Sequence, residues 1–132
     1  MSIAIITGAS SGIGKELVKQ LSLYVDSVEE IWAIARREEL LLELKKETEI
    51  PVRAIPLDLT DLKSLDALDS LLKTEEKDVS VLVNCAGYGK FGNYGDIKNC
   101  EAMGMIDLNC RALVGITNIT LPFMKSGAKI LQ

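Results

Sequence analysis

The chain of 132 residues contains no histidine. That removes the commonest general acid or base near neutral pH and deprives any zinc site of its usual nitrogen ligand. Cysteine is nearly as sparse. Cys85, Cys100 and Cys110 are odd in number and lack metal-ligand spacing, so no metal is expected and they read as reduced packing residues of a cytoplasmic protein. Basic residues are concentrated nowhere and the net charge is −4, which argues against a nucleic-acid partner. The opening apolar run is too short for a signal peptide and has no basic leader. A second apolar stretch, Met103 to Met124, is interrupted by Asp107, Asn109 and Arg111, so no membrane span is expected. Internal repeats and low-complexity linkers are missing too. What remains is one soluble domain over 1–132, whose 48% hydrophobic content and length suffice for an adequate core.

Against these absences stands one dense feature. The run Ile3-Ala4-Ile5-Ile6 passes directly into Thr7-Gly8-Ala9-Ser10-Ser11-Gly12-Ile13-Gly14. A buried strand that turns through close glycines into a helix makes a phosphate site. The glycines let the backbone approach the ligand, and the first amides of the helix point at it with about half a positive charge from the helix dipole. Two other phosphate patterns fail here. A Walker loop would need glycine at Ala9 and Ser or Thr at Glu16, while G-x-G-x-x-G counted from Gly8 would need glycine at Ser10. The pattern present is G-x-x-x-G-x-G, at the end of the first strand of a dinucleotide-binding unit.

The rest of the chain alternates. Strands are predicted at Ile3–Thr7, Glu30–Ala35, Val52–Leu57, Val79–Asn84 and Ala128–Gln132. Helical periodicity lies between them at Gly14–Val25, Glu38–Thr48, Asp61–Lys73 and a long segment near Cys100–Met124. Asp61 stands as a helix cap before the stripe Leu62, Leu65, Leu68 and Leu72. Alternation of this kind means an α/β fold, a doubly wound parallel sheet of the Rossmann type, with ligands beyond the carboxyl ends of the strands.

The strand ends therefore matter most. After the second strand come Ala35-Arg36-Arg37. An NAD site usually places a carboxylate there, but Ala35 would not repel a 2′-phosphate and Arg36 can offer it a planar fork. The alternative is a solvated arginine pair, which the positive end of the following helix disfavours. After the third strand Asp58 can accept a hydrogen bond from an adenine amino group, or merely cap a turn. After the fourth, Asn84 can tie neighbouring strands, while Ala86 and Gly87 let a flat ring and sugar lie on the backbone. Tyr88, Phe91 and Tyr94, spaced among Gly89, Gly92 and Gly95, read either as a loop over the pocket or as packing.

Taken together, Thr7–Gly14, Asp58, Asn84-Cys85-Ala86-Gly87, Leu108-Asn109 and Leu121-Pro122-Phe123-Met124 with a Gly127 turn resemble the N-terminal half of a short-chain dehydrogenase/reductase. The likeness runs the whole length in order. Cys85 stands where the family most often has a second asparagine, and Leu108 where valine is common. The resemblance implies an NAD(P)-dependent oxidoreductase moving hydride between NADP, less so NAD, and a small carbonyl or alcohol substrate. Gly8, Ser10, Ser11, Ile13 and Gly14, with Gly12 in the same turn, would line the pyrophosphate and nicotinamide side. Arg36 would hold the 2′-phosphate, Asp58 and Leu59 would meet the adenine, and Asn84, Ala86 and Gly87 the ribose. Asn109 matches the asparagine of the family's catalytic tetrad, which holds a water in a proton relay; its plain reading is a polar residue inside a helix.

The family's other catalytic residues are a serine at the end of the fifth strand and a Tyr-x-x-x-Lys on the next helix. A lysine lowers the tyrosine pKa there, and the serine fixes the substrate oxygen. Tyr24 and Tyr88 have no lysine four places on, and Tyr94-x-x-x-Lys98 precedes the long helix instead of following the fifth strand. The 132 residues are thus expected to be truncated after the fifth strand and inactive alone. A non-catalytic nucleotide-binding or oligomerisation module, complete at this length, is the alternative. In the family the long helix also packs against a partner subunit. Met105, Ile106, Leu113, Ile116, Ile119 and Phe123 put apolar surface on more than one of its faces, so a homo-oligomer is expected.

Overall fold

Alternate residues of the first strand face opposite ways, as the pleat requires, and both sets are apolar. The computed structural model describes residues 2–132. In it β1 (Ser2–Thr7) is the middle of a five-stranded sheet in the order β3-β2-β1-β4-β5. Every pairing is parallel, which explains why the inner strands read as continuous apolar runs. The neighbours of β1 are β2 (Val28–Ala35) and β4 (Asp78–Asn84); β3 (Val52–Pro56) and β5 (Met124–Leu131) form the edges.

Helices cover both faces. Ile3 and Ile5 pack with Trp32, Ile34 and Leu82 under α3 (Leu62–Glu75) and α5 (Leu113–Thr120). Ala4 and Ile6 face the other way, with Ile31 and Ala33, under α1 (Gly12–Tyr24) and α2 (Glu38–Leu44). Three of the four predicted stripe leucines face the core; Leu62, in the first turn, is exposed. Leu65, Leu68 and Leu72 are buried, each contributing about 1.5–3 kcal/mol by leaving water. Asp61 caps the same helix, its carboxylate accepting the Lys63 N–H at 2.9 Å. Packing of α3 on α5 needs Gly115, where a Cβ would lie 2.8 Å from Leu65 Cδ1.

Several boundaries differ from those read in the sequence, and four of the differences have a visible cause. β2 begins at Val28, two residues early, because Val28 pairs with Ser2 of β1 and is itself buried. α2 ends at Leu44, its last core-facing residue, and Lys45–Glu47 tighten into a 3₁₀ turn whose Glu47 carboxylate is drawn to Lys15 and Lys19 of α1. The long helix is composite: α4 (Asn99–Ile106), a π-helical segment Asp107–Ala112, α5, and a 3₁₀ turn Leu121–Phe123 opened by Pro122. β5 starts at Met124 and not at Ala128. Gly127, at φ +94°, lies inside the strand where Val79 pairs with Met124 and Val81 with Lys129, an irregularity that leaves extra residues on the β5 side. The chain reads Gly127 as a turn because both a turn and a bulge need positive φ.

Candidate functional site

Strand order reverses between β1 and β4, the place where open parallel sheets bind ligands. At this point Thr7 Oγ1 accepts the Ala86 N–H at 3.0 Å, tying the two strand ends. Beyond them opens a cleft of about 650 Å³. The turn after β1 forms one wall, with Gly8, Ser10, Ser11, Gly12, Ile13 and Gly14 all lining it.

The three glycines serve different ends. Gly8 has φ +65°, and a Cβ there would lie 2.7 Å from the Cys85 carbonyl oxygen and 2.8 Å from the Ala86 nitrogen. A Cβ on Gly14 would run into the Gly8 carbonyl. Both are demanded by the protein's own packing. Gly12 has φ +56° and a Cβ there would meet nothing within 4 Å, so it alone of the three leaves space in the cleft. Helix α1 begins at this residue with no side-chain cap and no acidic residue in its first turn. Its first amides are thus left for an anion.

At the end of β2, Ala35, Arg36 and Arg37 line the cleft. Beside them the turn after the neighbouring β3 brings in Leu57, Asp58, Leu59 and Thr60, with the Leu57 N–H donating to the Ala35 carbonyl at 3.0 Å. The Thr60 hydroxyl donates to Asp58 Oδ1 at 2.7 Å and the Thr60 N–H to the same atom at 3.0 Å. These two bonds, helped by the nearby Arg36 charge, hold the Asp58 carboxyl below the usual carboxylate range. The two readings of Asp58 are therefore compatible: Oδ1 shapes the turn while the residue faces the cleft. Leu59 is buried and joins the cleft wall to the core.

The end of β4 divides. Cys85, Ala86 and Gly87 line the cleft, and burial pushes the Cys85 thiol up. Asn84 does not line it. Its Nδ2 donates to Thr117 Oγ1 at 3.1 Å and to Gln132 Oε1 at 3.0 Å, binding β4 to α5 and to the end of β5. Its buried Oδ1 has no partner among the described residues. Asn109 also stands outside the lining, directly behind it. Its Oδ1 accepts the Tyr88 N–H at 2.9 Å and its Nδ2 donates to the Tyr88 carbonyl at 2.8 Å. This approach is possible because position 87 is glycine: a Cβ there would lie 2.9 Å from Asn109 Oδ1.

Of the three loop aromatics only Tyr88 faces the cleft; Phe91 and Tyr94 are fully exposed. Tyr88 rests on Gly104, where a Cβ would come within 2.6 Å of its hydroxyl oxygen, and donates to the Glu101 carbonyl at 3.3 Å. Gly104 and Asp107 line the cleft and were missed in the sequence. An isolated glycine inside a helical pattern was the available signal for Gly104. Asp107 had none, since the π-helical segment that turns it inward leaves no mark in the residue pattern. Among the described residues no cluster of His, Cys, Asp or Glu could hold a metal ion, and no helix is long and apolar enough to cross a membrane.

Residues 2–132 match the short chain dehydrogenase family. The chain belongs to that family. An NADP-dependent 3-hydroxy acid dehydrogenase of Schizosaccharomyces pombe is 36% identical over 130 residues, covering 95% of this chain and 49% of the relative. The human dehydrogenase/reductase SDR family member 7 is 33% identical over 123 residues, covering 90% of this chain and 36% of its own. Among solved structures, a metagenomic short-chain oxidoreductase in complex with NADP superposes with a TM-score of 0.81 at 28% identity, over 92% of this chain and 55% of that one. The chain spans about half the length of the curated relatives it matches, with 49%, 44% and 52% of three of them covered.

Proposed function

We propose that this chain is the cofactor-holding part of an NADP(H)-dependent oxidoreductase that moves hydride between the nicotinamide and a small carbonyl or alcohol substrate. The observation that carries the reading is the cleft at the β1/β4 switch point, where an uncapped helix start, an open Gly12, Arg36 and Asp58 converge. The donors suit the group. Free amides and Ser10, Ser11 suit a pyrophosphate, Arg36 a 2′-phosphate, Asp58 an adenine amino group, and Ala86 with Gly87 a ribose. The NADP dependence of the fission-yeast relative and the NADP held by the metagenomic structure support the same cofactor.

When bound, the nicotinamide ring supplies or accepts the hydride. This chain's residues bind and orient. Asn109 spends one lone pair and one N–H on Tyr88, which holds the wall beside Gly87 and leaves one of each for a water. Tyr94, the one tyrosine with a lysine four places on, is fully exposed on a loop outside the cleft lining. That position does not suit proton exchange at the cleft, and we read these 132 residues by themselves as inactive; hydride transfer to a carbonyl substrate by the purified chain would refute this. The three cysteines are free, which suits a reducing cytoplasm. Met103, Ile106, Val114 and Leu121 expose apolar surface along the composite helix, and we assign them to contact between copies. A monomeric elution at micromolar concentration would count against that contact. The central test is a fluorescence titration with NADPH and NADH. Tighter NADPH binding is expected, and equal affinity would remove the role of Arg36.

A further inference from the structure

Arg111 is not explained by the cofactor cradle, yet it reaches across it. It lies in the π-helical segment, and its Nη2 donates to the Thr60 carbonyl at 2.9 Å. The same nitrogen stands 3.4 Å from Asp107 Oδ1, which orients the guanidinium. Thr60 in turn gives both its N–H and its hydroxyl to Asp58 Oδ1, and the Asp61 N–H closes the turn on the Asp58 carbonyl at 3.1 Å. Two residues away on the same π segment, Asn109 grips Tyr88 on the opposite wall. One short segment therefore holds both walls: the Gly87–Tyr88 side through Asn109, and the Asp58–Thr60 side through Arg111.

The turn has no other side chain from outside its own sequence bonded to it among the described residues. Without the arginine its carbonyl would face water and the Asp58 carboxylate would be placed by local bonds alone. A charged donor on a backbone carbonyl is worth more than a neutral one and restricts where that carbonyl points. We propose that Arg111 is a positioning residue for base recognition, setting the Asp58 carboxylate where it discriminates a 6-amino purine from a 6-oxo purine. This rests on the reading of the cleft as a dinucleotide site.

The probes are NADPH and its hypoxanthine counterpart, in which the adenine amino group is replaced by oxygen. The parent chain should bind NADPH more tightly than the counterpart. In Arg111→Met that preference should fall by about fivefold, the scale of one charge-assisted hydrogen bond acting indirectly. Arg111→Lys, which keeps a charged donor, should restore part of it. In the ligand-free chain the Thr60 amide should exchange faster with solvent in Arg111→Met, while the thermal midpoint moves little because the arginine is half exposed. A purely structural arginine would weaken both nucleotides equally, and that result overturns the inference, as does an unchanged preference. If the parent chain binds neither nucleotide, the reading of the cleft fails first; an unchanged Thr60 exchange rate in the variant separately overturns the positioning role.

Discussion

Gly8 and Gly12 lie four residues apart at similar positive φ, +65° and +56°, yet substitution by alanine should fail in different ways. An alanine held in the left-handed region costs about 1–2 kcal/mol, partly offset by about 0.4–1 kcal/mol from a stiffer unfolded chain. At Gly12 nothing else is added, because the new methyl would meet no atom within 4 Å. At Gly8 the methyl would lie 2.7 and 2.8 Å from backbone atoms of Cys85 and Ala86. Those are strand-end atoms that cannot rotate away, so an overpacking cost of about 1–3 kcal/mol is added. At roughly 4 °C per kcal/mol for a chain of this length, Gly12→Ala should lower the melting temperature by only about 4 °C and Gly8→Ala by about 8–16 °C. Binding should separate them in the opposite sense. The Gly12 methyl would project into cleft space beside the first turn of α1, weakening NADPH by about tenfold or more, equivalent to about 1.4 kcal/mol. Unfolding followed through Trp32, the single tryptophan and fully buried, reads the first quantity; nucleotide titration reads the second. The reasoning is refuted if Gly8→Ala melts with Gly12→Ala, or if Gly12→Ala binds NADPH like the parent.

Other consequences can be measured on the same chain. Arg36→Ala should erase most of the preference for NADPH over NADH, and an unaltered ratio in paired titrations would assign the 2′-phosphate elsewhere. Asn109→Ala removes both bonds to the Tyr88 backbone, so the Tyr88 amide should exchange about fivefold faster or more, read by hydrogen exchange. Because the Asp58 carboxyl is held low by Thr60, its ionised form adds stability that is complete above the unfolded carboxylate pKa of about 4 and is lost as pH falls through the lower folded value. Thr60→Ala should therefore destabilise at neutral pH by an amount that shrinks below about pH 4; a difference independent of pH would contradict this. Leu68→Ala, at a site with no exposure, should cost about 2–5 kcal/mol in denaturant unfolding.

Much of the site was legible because its residues follow strands whose apolar runs are easy to read. Gly8, Ser10, Ser11, Gly12, Ile13, Gly14, Arg36, Asp58, Leu59, Ala86 and Gly87 all sit one to seven residues after a strand end, and all line the cleft. Asn84 and Asn109 were harder. Each is a polar residue whose partner lies far along the chain, Thr117 and Gln132 for one and Tyr88 for the other, and spacing carries no record of such partners. Asp107 and the reach of Arg111 depend on how the π-helical segment rotates its side chains, which periodicity of 3.6 cannot express.

Hydrophobic alternation and glycine spacing alone determine a doubly wound parallel sheet and the end of it where the glycine turn opens a cleft. Both signals are local: a strand needs its own apolar run, and a tight turn needs its own positive φ. Tertiary structure alone decides which glycine keeps room for a ligand and which merely lets two strand ends meet. It also decides that a bulge and not a turn surrounds Gly127, and that one short helical segment grips both cleft walls. Those outcomes follow from distances between residues remote in sequence, which exist only once the sheet has brought its strand ends together.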